Sequence, residues 1–346
     1  MLRYLTAGES HGKCLVGILE GMPSGVKIDE KKINSELERR QSGYGRGPRM
    51  KIEFDKIEVL SGVRRLATIG SPIAMMIKNK DHSIDMLEGF SNPRPGHADL
   101  PGALKYGFSD MRNVLERASA RKTAIDVAIG AICKQLISNF KISLSSRLVS
   151  AGGQNSISKI HKAIDIAKKN KDTLGGVFEV SAKGVPVGLG SYVHADRRLN
   201  AAIAASLMGI PGIKSVEFGL GIVFAEKLGS EVHDVITYAK NKGFYRKTNN
   251  AGGIEGGMSN GEDIIVRCAM KPITTLSNPL DSIDLRTKKK TKATVQRADI
   301  CAIEAAGVIA EGLLAFELAK VFMEKFGSDS LVEIKNNFQS YIKKIR

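Results

Sequence analysis

His11 and His97 each stand beside a glycine and near a carboxylate, in the segments GESHG and RPGHAD. Imidazole exchanges a proton near neutral pH, and a neighbouring glycine lets a ligand come close to the backbone. Both histidines are therefore candidates for proton transfer. The other four, His82, His161, His194 and His233, have unexceptional surroundings and read as structural or solvated. A second group lies in RRQSGYGRGPRM, residues 39 to 50, where Arg39, Arg40, Arg46 and Arg49 surround Gly43, Gly45 and Gly47. Guanidinium groups grip phosphate and carboxylate through paired hydrogen bonds, so this segment reads as an anion clamp. Arg94 and the stretch ERASARKTA, Glu116 to Ala124, extend it. In an extended backbone Arg117, Ser119 and Arg121 would point the same way; if a helix starts near Ser119 instead, that residue is its cap and the terminus behind it favours an anion.

The fourth group is glycine-rich. In NNAGGIEGGMSNGED, Asn249 to Asp263, glycine fills five of the ten positions from 252 to 261, which suits a backbone lying flat against a planar ligand or another chain. It does not match GxGxxG after a strand, nor a P-loop. KPITT, Lys271 to Thr275, and QRAD, ending at Asp299, follow it.

The chain of 346 residues carries a formal charge of +16 with 42% hydrophobic content, enough to bury a large core under a surface that attracts anions. Aromatic residues are 5% and tryptophan is absent, which supplies few stacking platforms for single-stranded nucleic acid. Cys14, Cys133, Cys268 and Cys301 are widely spaced and show no metal-ligand pattern, so free thiols in a reducing compartment and no bound metal are expected. With no signal-peptide pattern and no long apolar run, the expectation is a cytoplasmic protein with no membrane partner.

Apolar residues recur at helical spacing from Val114 to Leu136 and from Ile303 to Val321. Further helices are predicted around Ile33 to Arg40, Ile160 to Lys169, Arg198 to Met208 and Leu331 to Ile342. KIEVLSGV, IAMMIKN, GGVFEVSAKGV, VEFGLGIVF and DIIVRCAM read as strands. These strands come in groups rather than in strict alternation with helices, which points to an α+β fold, and no linker divides residues 1–346, which read as one domain.

The ordered set GESHG, RRQSGYGRGPRM, RPGHAD, ERASAR, AGGIEGGMSNGE, KPITT and RAD closely resembles the chorismate synthase family, from about residue 6 to residue 322. The resemblance implies helices sandwiched between antiparallel β-sheets, a homotetramer, and an anti-1,4-elimination of phosphate and a ring proton from 5-enolpyruvylshikimate 3-phosphate to give chorismate. It also implies a need for reduced FMN without net redox change. On this reading His11 sits by the departing phosphate, His97 by the flavin, and Asp299 acts through the flavin N5, while Arg40, Arg46, Arg49, Arg94 and Arg121 bind the substrate. Flavin contacts are implied for Arg117, Ala118, Ser119, Pro211, Gly212, Gly256, Lys271, Pro272, Ile273, Thr274, Thr275 and Arg297. Arg40 and Arg46 are the positions associated with NADPH in members that reduce their own flavin. Lys122 departs from the family's usual glutamate, removing a capping-box partner for Ser119, and the run RTKKKTK, residues 286 to 292, is more basic than usual.

Two readings of other kinds compete. A basic nucleic-acid-binding protein would show strong, salt-dependent retention of DNA or RNA, but the basic residues are dispersed and no recognised binding module is present. A different flavin-dependent enzyme with an anionic substrate would bind flavin and leave the shikimate-pathway substrate untouched.

Overall fold

Two helices, Thr123–Ser138 and Ile303–Phe326, are buried around most of their circumference, a condition met only by helices enclosed between other layers. They lie against each other where Gly130 faces Gly312. A Cβ built on Gly130 would stand 2.2 Å from the Gly312 Cα, so the close approach of the two backbones depends on glycine. The computed structural model describes residues 2–47, 54–240, 243–296 and 298–345.

An antiparallel sheet covers each side of this helical layer. The N-terminal sheet runs Arg3–Ala7, Cys14–Glu20, Ile73–Lys78, Ile57–Val59 in spatial order. Its Gly17 lies under Ile125 and Ile129 of the first central helix. The C-terminal sheet runs Ser143–Ala151, Gly176–Lys183, Ile264–Met270, Ile213–Phe218, and Gly307 of the second central helix rests on Ser146. Alternation along the strands carries this packing: Ile73, Met75 and Ile77 are fully buried, one face of a period-two pattern. The architecture is α+β, with helices sandwiched between antiparallel sheets.

A fully buried carboxylate ties the layers together. Glu311, on the second central helix, accepts Arg39 Nη2 at 2.7 Å and Nη1 at 2.9 Å, Lys134 Nζ at 2.5 Å and Ser146 Oγ at 2.6 Å. These donors come from the helix Glu30–Gln41, the first central helix and the C-terminal sheet. Burial pushes the Glu311 carboxyl up, but the Arg39, Lys134 and Ser146 contacts outweigh it and hold it at about 2.

Three predicted elements differ, the simplest being KIEVLSGV, whose strand ends at Val59. The periodic run from Val114 is two helices, because Ser119 adopts φ −64° and ψ 143° between Arg112–Ala118 and a 3₁₀ turn at Ala120–Lys122. Ser119 Oγ accepts the Arg121 N–H, a local bond that competes with continued helix. Lys122 pairs with Asp126 at 3.1 Å, so the first turn of the next helix has an ion pair where a capping box is missing. In VEFGLGIVF the strand ends at Phe218, since Gly219 and Gly221 both take φ +58°. The strands Arg3–Ala7, Cys14–Glu20 and Ser143–Ala151, and the helix Asp99–Tyr106, join the predicted set.

The Glu311 cluster sets a pH dependence. A carboxyl held at about 2 in the folded chain stabilises it fully above its ordinary value of 4.5, and this is lost as pH falls from there toward 2. Urea midpoints of the wild-type protein should fall across that window more steeply than those of Glu311→Gln. At pH 7 the variant should already be less stable by about 3–5 kcal/mol, the usual cost of breaking a buried pair by removing one partner. Gly130→Val should lower the midpoint at every pH, because overpacking at a helix contact costs roughly 1–3 kcal/mol.

Candidate active site

At one end of the helical layer, segments far apart in sequence meet around a cleft of about 680 Å³, within the roughly 300–1,000 Å³ usual for small-molecule and cofactor sites. Part of its wall is apolar and small: Ala302, Ala305, Ala306 and Ile309 at the start of the second central helix. Further apolar residues, among them Leu87, Leu115 and Ile273, share the remaining wall with a group of cations. Arg40, Arg46, Arg94, Arg112, Arg121 and Lys271 line it, against Asp81 and Asp299, and His11 and His97 line it as well.

Buried carboxylates behind the wall place these cations. Asp55 accepts Arg121 Nη1 at 2.6 Å and lies 3.5 Å from Arg40 Nη1. Arg40 is further held by Thr123 Oγ1 and the Ala120 carbonyl, both at 3.0 Å, and Arg121 by Asn79 Oδ1 at 2.9 Å. The helix break at Ser119 makes this possible, because the 3₁₀ turn that follows carries Ala120 and Arg121. Burial, with a contribution from Arg46 and Arg121, brings the Arg40 guanidinium down to about 10. Its Nη1 is buried and makes no hydrogen bond among the described residues. A buried donor of this kind is costly, and an anion in the cleft would satisfy it.

Arg46 reaches the cleft on a loop clamped from outside. Tyr44 stacks on His161 with ring centroids 4.0 Å apart, and its hydroxyl donates to Asp165 Oδ1 at 2.9 Å. The Gly45 carbonyl accepts Ile300 N–H at 2.8 Å. Arg46 Nη1 then pairs with Asp299 Oδ2 at 3.0 Å while the Gly47 N–H donates to Asp299 Oδ1 at 2.6 Å. His161 is thus structural, as its sequence context suggests.

Each cleft histidine rests on a carboxylate through Nδ1. His97 lies 2.6 Å from Asp99 Oδ1. Asp99 also accepts Arg94 Nε at 2.8 Å, Nη2 at 2.9 Å and the Arg94 N–H at 3.1 Å. Burial works to raise the Asp99 carboxyl, but the Arg94 and His97 contacts prevail and hold it well below the usual range. Arg94 Nη1 continues to Thr275 Oγ1 at 2.8 Å. His11 lies 2.9 Å from Glu116 Oε1, with Asp81 Oδ2 at 4.0 Å from its Nε2.

The KPITT segment forms the facing wall. Lys271 N–H donates to the Gly212 carbonyl at 2.9 Å, which brings Pro211 and Gly212 to the same place, and Lys271 Nζ donates to the Gly96 carbonyl. Burial and then the nearby Lys214 lower the Lys271 pKa. Gly96, at φ +78°, has Thr274 Cγ2 3.2 Å from where a Cβ would be, so this turn tolerates little but glycine.

Of the predicted site residues, His11, His97, Asp299, Arg40, Arg46, Arg94 and Arg121 converge on the cleft, as do Ala118, Ser119, Pro211, Gly212 and Lys271 to Thr275. Arg117 and Gly256 are not on its wall. Arg117 turns the other way and donates to the Gly8 and Thr6 carbonyls at 2.8 and 2.9 Å, so Arg117, Ser119 and Arg121 do not share a direction. The glycine-rich stretch packs on its own chain: a Cβ on Gly252 would meet Gly219 N at 2.3 Å, and one on Gly257 would meet Arg198 Cγ at 2.5 Å. Arg49 and Arg297 lie outside the described residues. Sequence reading did not single out Asp55, Asp81, Asn79, Arg112, Glu116 and Asp99; Glu116 and Asp99 sit inside quoted motifs but carried no role. Among the described residues no group of side chains is arranged to hold a metal ion, and no helix is long and apolar enough to cross a membrane.

Comparison with known proteins agrees with the cleft. A family model described as chorismate synthase matches residues 2–323. The chain is 53% identical to a chorismate synthase of Caldanaerobacter subterraneus subsp. tengcongensis, over 100% of this chain and 99% of that protein. It is 51% identical to one from Thermoanaerobacter pseudethanolicus, covering 99% and 98%. A crystal structure of a chorismate synthase superposes with a TM-score of 0.83 at 39% identity, covering 99% of this chain and 98% of that one.

The balance between cations and hidden carboxylates is testable at Asp99. Asp99→Asn leaves Arg94 buried without its counter-charge, and unfolding in urea at pH 7 should show a loss of about 3–5 kcal/mol. Because the Asp99 carboxyl is depressed in the folded chain, its stabilisation is complete at neutral pH and declines only below its ordinary value of about 4. The wild type and Asp99→Asn should therefore converge in stability as the solution is acidified.

Proposed function

The chain belongs to the chorismate synthase family, a family of carbon–oxygen lyases, and from that premise we propose that it converts 5-enolpyruvylshikimate 3-phosphate to chorismate and phosphate with reduced FMN in the cleft. The observation that carries this reading is the cleft itself, in which six cations and two carboxylate-backed histidines surround a partly apolar wall. A substrate with one phosphate and two carboxylates matches that excess of positive charge. The cofactor's phosphate also finds donors here, and the small side chains Ala302, Ala305 and Ala306 offer a wall against which a flat ring system fits. When bound, reduced FMN supplies the transient electron density that weakens the carbon–oxygen bond.

The chain's own residues bind, orient and move protons. Arg40, Arg46, Arg94 and Arg121 hold the anionic groups in a fixed geometry, since each is already locked by a carboxylate, carbonyl or hydroxyl partner. We assign to Arg49 the same task. His11 gives a proton to the departing phosphate oxygen or stabilises its charge. Asp299, pinned by Arg46 and the Gly47 N–H, is the carboxylate that would act through the flavin N5 in removal of the ring proton. His97, next to the Lys271–Thr275 wall, serves the flavin side together with Ala118, Ser119, Pro211 and Gly212. Burial of most of this machinery excludes water from the bond that breaks. We further read the protein as a cytoplasmic homotetramer. Large apolar side chains left exposed away from the cleft, such as Ile236, Tyr238 and Phe244, support its self-association.

The direct test is anaerobic incubation with 5-enolpyruvylshikimate 3-phosphate and chemically reduced FMN, following chorismate and phosphate together. Equal release of both, absent with oxidised FMN, is the expected outcome. Flavin binding without either product would sink the reaction and favour another flavin-dependent enzyme with an anionic substrate. His11→Ala and Asp299→Ala should each lower kcat by about 10²–10⁴-fold with reduced FMN saturating, in the range of lost general acid–base catalysis.

A further inference from the structure

Glu116 is not part of the cleft wall, and its side chain is only 2% exposed, yet both its carboxylate oxygens are engaged by one residue. Oε2 accepts the His11 main-chain N–H at 2.8 Å, and His11 Nδ1 lies 2.9 Å from Oε1 and 3.1 Å from Oε2, with Oε1 the nearer partner. In the reverse direction, the Glu116 carbonyl accepts the Ser10 N–H at 2.9 Å, so the turn that carries His11 is bound to this helix residue at three points. Burial alone would raise the Glu116 carboxyl, but the hydrogen bonds from the His11 ring and backbone outweigh it and keep the group below the usual range. At neutral pH it is ionised, and an ionised carboxylate only accepts. The ring nitrogen facing it must therefore carry a hydrogen.

We propose that Glu116 is a positioning residue that fixes the neutral His11 ring as the Nδ1–H tautomer, so that Nε2, on the side of the cleft-lining Asp81, takes up a proton from solvent and the doubly protonated ring gives that proton from Nε2 to the departing phosphate, returning to the Nδ1–H form. The catalytic half of this assignment rests on the function proposed above. Asp99 stands in the same relation to His97, but it also holds Arg94 through three hydrogen bonds, and replacing it would disturb the fold and the ring together. Glu116 is the cleaner case. Its nearest cation, Arg112, stays 3.6 Å away and donates its Nε hydrogen to the Glu88 carbonyl instead.

Glu116→Gln keeps the shape and leaves one acceptor where there were two. The main-chain N–H of His11 can only donate and retains the amide oxygen; the amide NH₂ then faces Nδ1, which has to become an acceptor. The ring should switch to the Nε2–H tautomer. Long-range ¹⁵N–¹H correlation spectra of histidine-labelled protein, recorded without substrate and with the ring neutral, read the tautomer, and His11→Asn identifies the signal. The expected result is Nδ1–H in the wild type and in Glu116→Asp, which keeps two acceptors, and Nε2–H in Glu116→Gln. In turnover, Glu116→Gln should lose about 10²–10⁴-fold in kcat, the scale seen when a catalytic histidine is held in the wrong tautomer. Its KM should change less than about threefold, and Glu116→Asp should recover at least about tenfold of the lost kcat. A Glu116→Gln protein whose His11 remains Nδ1–H overturns the proposal, as does one whose ring switches while kcat stays at the wild-type value. A wild-type protein that shows the Nδ1–H form but releases no chorismate would overturn the reaction and leave the tautomer assignment intact.

Discussion

Guanidinium groups gathered around one cleft repel each other before any anion arrives. At an effective dielectric constant near 20, two like charges about 4 Å apart cost about 4 kcal/mol, a large share of a protein's net stability. The structure meets this constraint with carboxylates placed behind the cations. Asp55 stands between Arg40 and Arg121, Asp99 behind Arg94, and Glu116 near Arg112, while Asp299 faces Arg46 within the cleft. Asp55, Asp99 and Glu116 each compensate a cation from behind the cleft wall, outside the space open to a ligand. The local fold around the site follows from the need to deliver these pairs from separate segments.

That delivery explains otherwise odd features of the chain. The helix break at Ser119 turns Arg121 inward to Asp55 while Arg117 is bound on the outside. The helix Glu30–Gln41 ends by sending Arg39 to Glu311 and Arg40 to the cleft. Adjacent residues on one helix thus anchor the fold and furnish the site, so a displacement of that helix moves both. The close contact of Gly130 with Gly312 acts at the same level, since the two central helices carry Thr123 and Ala305 to the cleft at their near ends. Rigid elements of this kind hold a catalytic geometry better than free loops do.

The sequence revealed the cleft-lining residues far better than their supports. His11, His97, Asp299 and the arginines were legible because glycine and charge together are unusual in a turn, and because their order along the chain has a specific likeness. Asp55 was not, since a lone aspartate before KIEVLSGV has no local signal; only the folded chain brings it to Arg121, 66 residues away in sequence. The glycine-rich stretch is ambiguous in sequence for a related reason. Glycines that admit a ligand and glycines that admit another backbone look alike in sequence, and here Gly219 and Gly252 serve the second purpose. The central helices were read from their period, but the break at Ser119 was left as one of two alternatives, because a serine within a periodic run can point either way. Ser143–Ala151 was missed as a strand because its serines blur the apolar alternation.

The two histidine–carboxylate pairs show why the supports matter to the chemistry and not only to the fold. His97 shares its carboxylate with a guanidinium that makes three hydrogen bonds to it, whereas His11 has both oxygens of Glu116 and a second carboxylate, Asp81, at its far nitrogen. The negative charge beside His97 is largely met by Arg94; that beside His11 is met by Arg112 only at 3.6 Å. The elimination proposed above would place new negative charge beside one histidine and not the other, and a cleft with identical surroundings at both would not distinguish those ends. The unequal compensation of Asp99 by Arg94 and of Glu116 by Arg112 makes the two ends of the cleft electrostatically different.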